Sequence, residues 1–175
     1  MNLKSYSNDQ FTIHHGDVLE CFKELENDSI DLVFADPPYN LGKDFDGVSD
    51  NFDEDFYIKW MESWIAEIDR VIKPDGSIYL MNSTQNLAQM DLICRRYFYI
   101  QSRIVWFYDS SGVQAKTKFG STWEPILHMT KNKNKFTFNS NDILVEAKTG
   151  SQRKLIDYRK TPPEPYNTKK VPSNA

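Results

Sequence analysis

The sequence predicts an α/β fold, because short apolar runs typical of β-strands alternate with a longer segment of helical spacing. The clearest strand is Ile30–Ala35, where five apolar residues in six, followed one residue later by a double proline, predict a buried strand. The clearest helix covers residues 56–72, where apolar side chains recur at helical spacing. A turn at residues 73–76 ends this helix, and a second strand at residues 77–81 follows the turn. This order of strand, helix and strand predicts a sheet packed against helices.

The other elements follow from shorter patterns. Residues 11–15 alternate weakly and predict a strand, and Asp17 suits the capping position of a helix that starts at Val18. The polar residues 82–84 suit the start of a later helix. A polar loop at 40–54 is typical of a lid or binding loop, with a solvated acidic loop as the alternative. The remaining predicted elements are a helix at 85–97 and strands at 100–108 and 124–130.

Length and composition limit the class of protein. The chain has 175 residues, 39% of them hydrophobic, which predicts one soluble domain with a sizeable core. It contains no apolar run of about 18 residues and no apolar signal core, so we expect a cytoplasmic protein with no membrane partner. Cys21 and Cys94 lie far apart and predict free thiols. His14 and His15 lack a third ligand at metal spacing, so we expect no metal site.

Charge is distributed unevenly along the chain. The net charge is −4, yet residues 146–175 contain seven basic and three acidic side chains. Because this segment is also rich in proline and predicts little buried surface, we divide the chain into residues 1–145 and 146–175. The basic segment is compatible with contact to phosphate groups. Lys116 and Lys118 lie in a polar loop and are either phosphate contacts or ordinary exposed lysines.

The segment Asp36-Pro37-Pro38-Tyr39 stands at the end of the clearest strand, where open α/β sheets bind ligands. The prolines fix φ and donate no N–H, so the backbone carbonyls there lack donors close by. A carboxylate and a carbonyl together suit an NH₂ group, and a tyrosine ring can stack on a flat ring. These residues therefore predict a site for the exocyclic amine of a base. The alternative is a Pro-Pro turn with a surface Asp and a packed Tyr.

The motif and its surroundings resemble the S-adenosylmethionine-dependent DNA amino-methyltransferases. Besides residues 36–39, the resemblance rests on Gly16-Asp17 upstream and on residues 73–77, 103–106 and 123–126 downstream. This order is similar to that of the β-class adenine-N6 methyltransferases, in which the catalytic motif precedes the cofactor glycines. In this family an Asp rather than a Ser at the first motif position favours adenine N6 over cytosine N4. The resemblance implies the Rossmann-like sheet of class I methyltransferases.

The resemblance also implies roles for individual residues. Asp36 and the Pro37 carbonyl would accept hydrogen bonds from the N6 amine of a flipped adenine in double-stranded DNA, and Tyr39 would stack on its ring. The cofactor would be S-adenosylmethionine, with Asp17 accepting from the amine of its adenine. Residues 146–175 would begin the segment that recognises the DNA sequence. The expected site residues are Asp36, Pro37, Pro38 and Tyr39 for catalysis, Asp17 and Asp36 for the cofactor, and Lys116, Lys118, Arg153 and Lys154 for DNA.

Two features of the family are missing from this sequence. No Gly-x-Gly occurs among its seven glycines, and neither the glycine-rich cofactor turn nor the acidic residue for the ribose is found. In the family the two strands that carry these features lie between the strand of Ile13 and the strand of Val33. We therefore expect an incomplete sheet with a gap and unpaired edges. The chain alone is expected to be weakly active or inactive.

Other functions stay open at this point. A cytosine-N4 or an RNA amino-methyltransferase is the nearest catalytic alternative. A non-catalytic DNA-binding remnant would bind DNA in a salt-dependent way without methyl transfer. A half-protein would act only together with a separate chain that carries the glycine-rich cofactor motif.

Overall fold

The computed structural model describes residues 3–45, 48–109, 116–117, 119–143, 155–157, 161–162 and 164–166. The chain divides into two compact units, Met1–Thr137 and Phe138–Ala175. The helices of the first unit are α1 (Val18–Phe22), α2 (Glu54–Val71) and α3 (Leu87–Cys94). Its strands are β1 (Lys4–Ser7), β2 (Thr12–His15), β3 (Ile30–Ala35), β4 (Asp44–Phe45), β5 (Val48–Ser49), β6 (Ile72–Met81), β7 (Tyr99–Phe107) and β8 (Trp123–Thr130).

The second unit contains few described elements. These are a 3-10 helix, Ser140–Ile143, and an antiparallel pair of short strands, β9 (Leu155–Asp157) and β10 (Glu164–Tyr166). The predicted boundary between residues 145 and 146 lies outside the described residues, so it stays a prediction. No helix in the described part of the chain is both long and apolar enough to span a bilayer.

Four strands of the first unit form the central sheet, in the order β3-β6-β8-β7. Strands β3 and β6 run parallel, and β8 runs antiparallel to both of its neighbours. The ends of β3, β6 and β7 and the start of β8 therefore lie at one edge of the sheet. The predicted strands at 30–35, 100–108 and 124–130 are confirmed to within one residue at each end.

Helix α2 supplies much of the hydrophobic core. The carboxylate of Asp53 caps this helix by accepting the backbone N–H of Phe56 at 3.1 Å, and Glu54 and Asp55 stabilise the positive end of the helix dipole. Its apolar side chains meet those of α3 and of the central strands in one cluster. The buried members of this cluster include Met61, Trp64, Ile65, Ile68 and Val71 of α2, Ile78 and Leu80 of β6, Met90 and Ile93 of α3, and Leu127 and Met129 of β8.

Helix α2 runs directly into β6, which differs from the prediction. The sequence predicts a turn at residues 73–76, but β6 already begins at Ile72. The pairing between β3 and β6 shifts within this stretch, so residues 73–76 form an irregular insertion in the strand instead of a separate turn. Gly76 is required there, because a Cβ atom at this position would lie 2.9 Å from the carbonyl oxygen of Asp31.

The two faces of β3 differ in burial, which corrects the prediction of a buried strand. Val33 and Ala35 pack against the core, whereas Leu32 and Phe34 alternate with them and keep 58% and 61% of their surface exposed. Within the described residues β3 is also an edge strand, with β6 as its partner. The hairpin of β1 and β2 forms a sheet of its own. Burial of a strand depends on what covers each face, and the composition of the strand does not report that.

Several shorter elements also differ from prediction. Helix α1 ends at Phe22, and α3 is shorter than the predicted range 85–97. Residues 82–84 do not cap α3, which begins after Asn86 without a side-chain cap. The predicted loop at 40–54 contains the short hairpin of β4 and β5 and the first residue of α2.

Candidate active site

A pocket of about 400 Å³ opens at the sheet edge where β3 ends. Residues 36–39 continue the chain from β3 into this pocket, because the two prolines donate no N–H and cannot continue a strand ladder. The four predicted catalytic residues are thus brought together in one place. The residues that line the pocket are Asp36, Pro37, Pro38, Tyr39, Lys43, Asp50 and Glu124.

Tyr39 and Asp36 form a short hydrogen bond. The Tyr39 hydroxyl donates to Oδ1 of Asp36 at 2.5 Å. Burial, the hydrogen bond and charge of Asp36, and the carboxylate of Glu124 together raise the pKa of Tyr39 far above its ordinary value. The hydroxyl therefore stays protonated and acts as a donor. The second oxygen of Asp36 has no partner among the described residues and is free to accept a further hydrogen bond.

Behind the motif, three side chains form a hydrogen-bonded group that we call the carbonyl clamp: Tyr57, Asn82 and Asn86. The hydroxyl of Tyr57 donates to the backbone carbonyl of Pro38 at 2.7 Å. The amide of Asn86 donates to the backbone carbonyl of Tyr39, also at 2.7 Å. The expectation that the motif carbonyls lack donors is therefore wrong for these two carbonyls, because donors arrive from α2 and from the start of α3.

The loop after the motif is held by buried polar contacts. Asp50 is only 3% exposed, and its carboxylate accepts the backbone N–H groups of Leu41 and Lys43 at 3.1 and 2.5 Å. The side chain of Asn40 bonds both the N–H and the carbonyl of Phe52. A solvated acidic loop is therefore wrong for Asp50, which satisfies the backbone of its own loop. Lys43 is brought to the pocket as a result.

Glu124 is a pocket residue that the sequence did not identify as part of the site. It is half-buried near the start of β8, opposite Trp106 of β7. Because β8 runs antiparallel to β6, its start lies at the sheet edge where the motif stands. The predicted strand at 124–130 begins with Glu124. Its place at this edge of the sheet follows only once β8 is known to run antiparallel to β6.

Other predicted site residues lie away from this pocket or outside the described part of the chain. Asp17 caps α1 by accepting the N–H of Leu19 at 2.8 Å, as predicted, and is not among the described residues that line the pocket. Lys116 is exposed, in the connection between β7 and β8 that starts at the same sheet edge. The predicted DNA contacts Lys118, Arg153 and Lys154 lie outside the described residues.

Comparison with known proteins identifies the family. Residues 30–174 match the family model described as DNA methylase, and this is well over half of the chain. The chain belongs to the DNA methylase family. It is 58% identical, over 97% of its length, to the DNA adenine methyltransferase YhdJ of Escherichia coli K12, and it covers 58% of that protein.

Two solved structures share the fold of this chain. The complex of M1.HpyAVI with SAM aligns with a TM-score of 0.52 and 21% identity, over 71% of this chain and 55% of that one. The cytosine-N4-specific PvuII DNA methyltransferase aligns with a TM-score of 0.53 and 17% identity, over 67% of this chain and 48% of that one. The chain spans about half to three fifths of the length of these three relatives. The predicted α/β methyltransferase fold is thereby confirmed in its general form.

Proposed function

We propose that this chain carries the catalytic site of a DNA adenine-N6 methyltransferase that uses S-adenosylmethionine. The observation that carries the proposal is the placement of residues 36–39 at the end of β3, where they line one pocket. Membership of the DNA methylase family supports it, as does the 58% identity to a protein named DNA adenine methyltransferase. The proposed reaction belongs in the compartment that holds DNA, which in a bacterial cell is the cytoplasm.

The pocket offers the acceptors that an exocyclic amine needs. The carboxylate of Asp36 and the carbonyl of Pro37 each accept one N–H of the adenine N6 amine, and this keeps the lone pair of the nitrogen available. The target adenine is flipped out of the duplex to reach them, because a base inside the stack is inaccessible. Tyr39 stacks on the flipped ring, which is worth about 1–3 kcal/mol per base in comparable sites. Positioning of the amine is thus the main contribution of these residues.

The chain offers part of a site for S-adenosylmethionine, the proposed methyl donor, in the carboxylates of Asp17 and Asp36. The carboxylate of Asp17 uses one oxygen to cap α1, and its other oxygen has no partner among the described residues, so it can accept from an amine of the donor. The free oxygen of Asp36 has two lone pairs, so it can accept from the target amine and from an amine of the donor. When bound, S-adenosylmethionine supplies a methyl group made electrophilic by its positive sulfur. Asp36 accepts the proton that the amine loses once the nitrogen carries the new methyl group. Solvent at the open pocket then removes this proton.

Nucleoside analysis tests the choice of base. The fold is shared with a cytosine-N4-specific enzyme, so the fold does not decide between adenine and cytosine. The chain, with a chain that carries the glycine-rich cofactor turn added, is incubated with tritium-labelled S-adenosylmethionine and either duplex DNA or RNA, and the digested nucleosides are separated. We expect the label in N6-methyl-2′-deoxyadenosine from the DNA digest. Label in N4-methylcytosine, or in RNA alone, would contradict the proposal, and salt-dependent DNA binding without label would favour a non-catalytic remnant.

A second proposal concerns completion of the sheet. Within the described residues one side of β3 has no partner strand, and Leu32 and Phe34 are exposed. Both observations support the prediction that two further strands, with a glycine-rich cofactor turn, pair beside β3. A separate chain with a Phe-x-Gly-x-Gly turn is one source of these strands. The test compares methyl transfer by this chain alone and after addition of such a chain. Equal rates in the two samples would refute the proposal, and an increase would support it.

We propose that basic side chains contact the DNA. Lys116 is exposed between β7 and β8, and Lys118, Arg153 and Lys154 are assigned by sequence alone. Phosphate contacts of this kind position a protein on DNA without reading its sequence. Substitution of any one of them by Ala should weaken DNA binding on all sequences and reduce the dependence of log affinity on log salt by about one unit.

A further inference from the structure

The backbone carbonyls of residues 37–39 differ in whether the protein supplies a hydrogen-bond donor to them. The carbonyl of Pro38 accepts the hydroxyl of Tyr57, and the carbonyl of Tyr39 accepts the amide of Asn86. No hydrogen bond reaches the carbonyl of Pro37 within the described residues, although Pro37 lines the pocket. A donor on a bound molecule therefore finds one motif carbonyl that is not already satisfied by the protein.

The direction of each hydrogen bond in the carbonyl clamp is determined by the backbone. The N–H of Ser83 donates to Oδ1 of Asn82 at 2.7 Å, which fixes this oxygen as an acceptor because a backbone N–H can only donate. Asn86 donates to the same oxygen at 3.0 Å. The other end of the Asn82 amide is therefore its NH₂ group, which donates to the oxygen of Tyr57 at 3.1 Å.

The hydroxyl of Tyr57 has one hydrogen to donate, and the carbonyl of Pro38 accepts that hydrogen bond. Because its oxygen already accepts from Asn82, the hydroxyl hydrogen is directed to the Pro38 carbonyl. Tyr57 is 2% exposed and Asn82 fully buried, so neither group exchanges its partner for water. Burial is the largest of the causes that raise the pKa of Tyr57, and its hydroxyl consequently remains a donor throughout the neutral pH range.

The carbonyl clamp restrains ψ, the backbone torsion that proline leaves free. Proline fixes φ at about −65° but not ψ, and ψ sets the direction of each carbonyl. The two hydrogen bonds hold the peptide planes that follow Pro38 and Tyr39, and so fix the backbone next to the Pro37 carbonyl. The three clamp residues come from α2, from the end of β6 and from the start of α3, which are rigid parts of the core.

We propose that Tyr57, Asn82 and Asn86 are positioning residues for methyl transfer. They occupy the carbonyls of Pro38 and Tyr39 and keep the carbonyl of Pro37 as the acceptor offered to the target amine. This inference rests on the proposed function. Three residues outside the motif thus select which backbone oxygen accepts a hydrogen bond from the target amine.

Two isosteric variants test the proposal by steady-state kinetics. Tyr57→Phe removes only the hydroxyl, and Asn86→Asp replaces the donating NH₂ group by an oxygen. Both should lower kcat for methyl transfer to adenine-containing duplex DNA by about 10- to 100-fold, because small errors of position cost rates of this size. The KM for DNA should change by less than about threefold, since the groups that bind DNA and stack on the base are retained.

Tyr97→Phe is the matched control, because Tyr97 is a second partly buried tyrosine whose hydroxyl meets Glu62 of α2 and not the motif. It should leave kcat unchanged within about twofold. An unchanged kcat in both Tyr57→Phe and Asn86→Asp would overturn the positioning role. A rise in KM without a fall in kcat would overturn it as well.

A readout that does not require activity separates this proposal from the proposed function. Carbon-13 labelling of the Pro38 carbonyl reports its hydrogen bond directly, and Tyr57→Phe should shift this resonance while Tyr97→Phe should not. If the wild-type chain shows no methyl transfer even with a glycine-turn chain added, the proposed function fails. In that case the resonance of the Pro38 carbonyl alone tests the hydrogen bond from Tyr57. An unshifted resonance in Tyr57→Phe would refute the clamp.

Discussion

The Tyr39 hydroxyl lies 2.5 Å from Oδ1 of Asp36, so the two most reactive side chains of the motif are bonded to each other. The proposed function requires Asp36 to accept from an amine and Tyr39 to stack on a ring. One oxygen of Asp36 is free for the amine, while the other is taken by the tyrosine. Glu124 stands beside Tyr39 as a second acceptor in the same pocket. The hydroxyl of Tyr39 is therefore expected to hold the carboxylate of Asp36 in position and to take no part in bond making or breaking.

Substitution of Tyr39 separates its ring from its hydroxyl. Tyr39→Phe keeps the stacking surface and frees Oδ1 of Asp36, so the single-turnover rate of methyl transfer should stay within about threefold of wild type. Tyr39→Ala removes the stack and should lower the rate by about 10- to 100-fold, in line with about 1–3 kcal/mol for stacking. Rates are measured with saturating DNA. Equal losses in the two variants would show that the hydroxyl, and not the ring, carries the effect.

Asp91 should make the stability of the fold sensitive to acid. Its carboxylate accepts hydrogen bonds from Arg95, the residue that follows α3, and from Arg103 of β7. Partial burial alone would raise its pKa, but the hydrogen bonds and charges of the two arginines hold it below the ordinary value of 3.8. A carboxylate with a lowered pKa in the folded state stabilises it above the unfolded pKa. That contribution is lost as the pH falls through the folded value.

The measurement is urea unfolding of wild type and Asp91→Asn at several pH values. At pH 7 the variant should be less stable by about 1 kcal/mol, a modest figure because the arginines are partly exposed and the pairs are screened. The difference should shrink below about pH 4. Asp9→Asn, an exposed carboxylate in the turn between β1 and β2, serves as the control and should show no such trend. A difference that is independent of pH would contradict the role of Asp91.

Core packing by α2 predicts a contrast between two aliphatic side chains. Ile65 is 1% exposed in α2, and Leu92 is 66% exposed in α3. Ile65→Ala should lower the free energy of unfolding by about 3 kcal/mol through lost burial and a cavity. Leu92→Ala should change it by less than about 0.5 kcal/mol. Thermal or urea unfolding checks both, and a similar loss at the two positions would mean that the exposed face of α3 is covered in solution.

Local sequence was sufficient for β3 and for the motif that follows it. The apolar run and the double proline lie within ten residues, so the strand and its end are determined by neighbours in the chain. Asp53 as the cap of α2 and Asp17 as the cap of α1 are equally local. Such features depend on hydrogen bonds within one turn, which the sequence displays directly.

Features that join distant segments could not be predicted. Tyr57 and Asn86 reach the motif from 19 and 47 residues away, and nothing in their own neighbourhoods indicates it. Asp50 belongs to an acidic stretch, and its burial follows only from how the loop folds back on Lys43. The exposure of Leu32 depends on what covers its face of the sheet, which the sequence of the strand does not report.

The central claim is that Asp36 lies where methyl transfer takes place. The most direct measurement is transfer of a tritiated methyl group to an adenine-containing duplex by wild type, Asp36→Asn and Asp31→Asn, with a glycine-turn chain present. Asp31 lies on the same strand, but it is exposed and paired with Lys73 away from the pocket. We expect the rate of methyl transfer to fall by about 100-fold or more in Asp36→Asn and to stay at the wild-type value in Asp31→Asn. A wild-type rate for Asp36→Asn would contradict it.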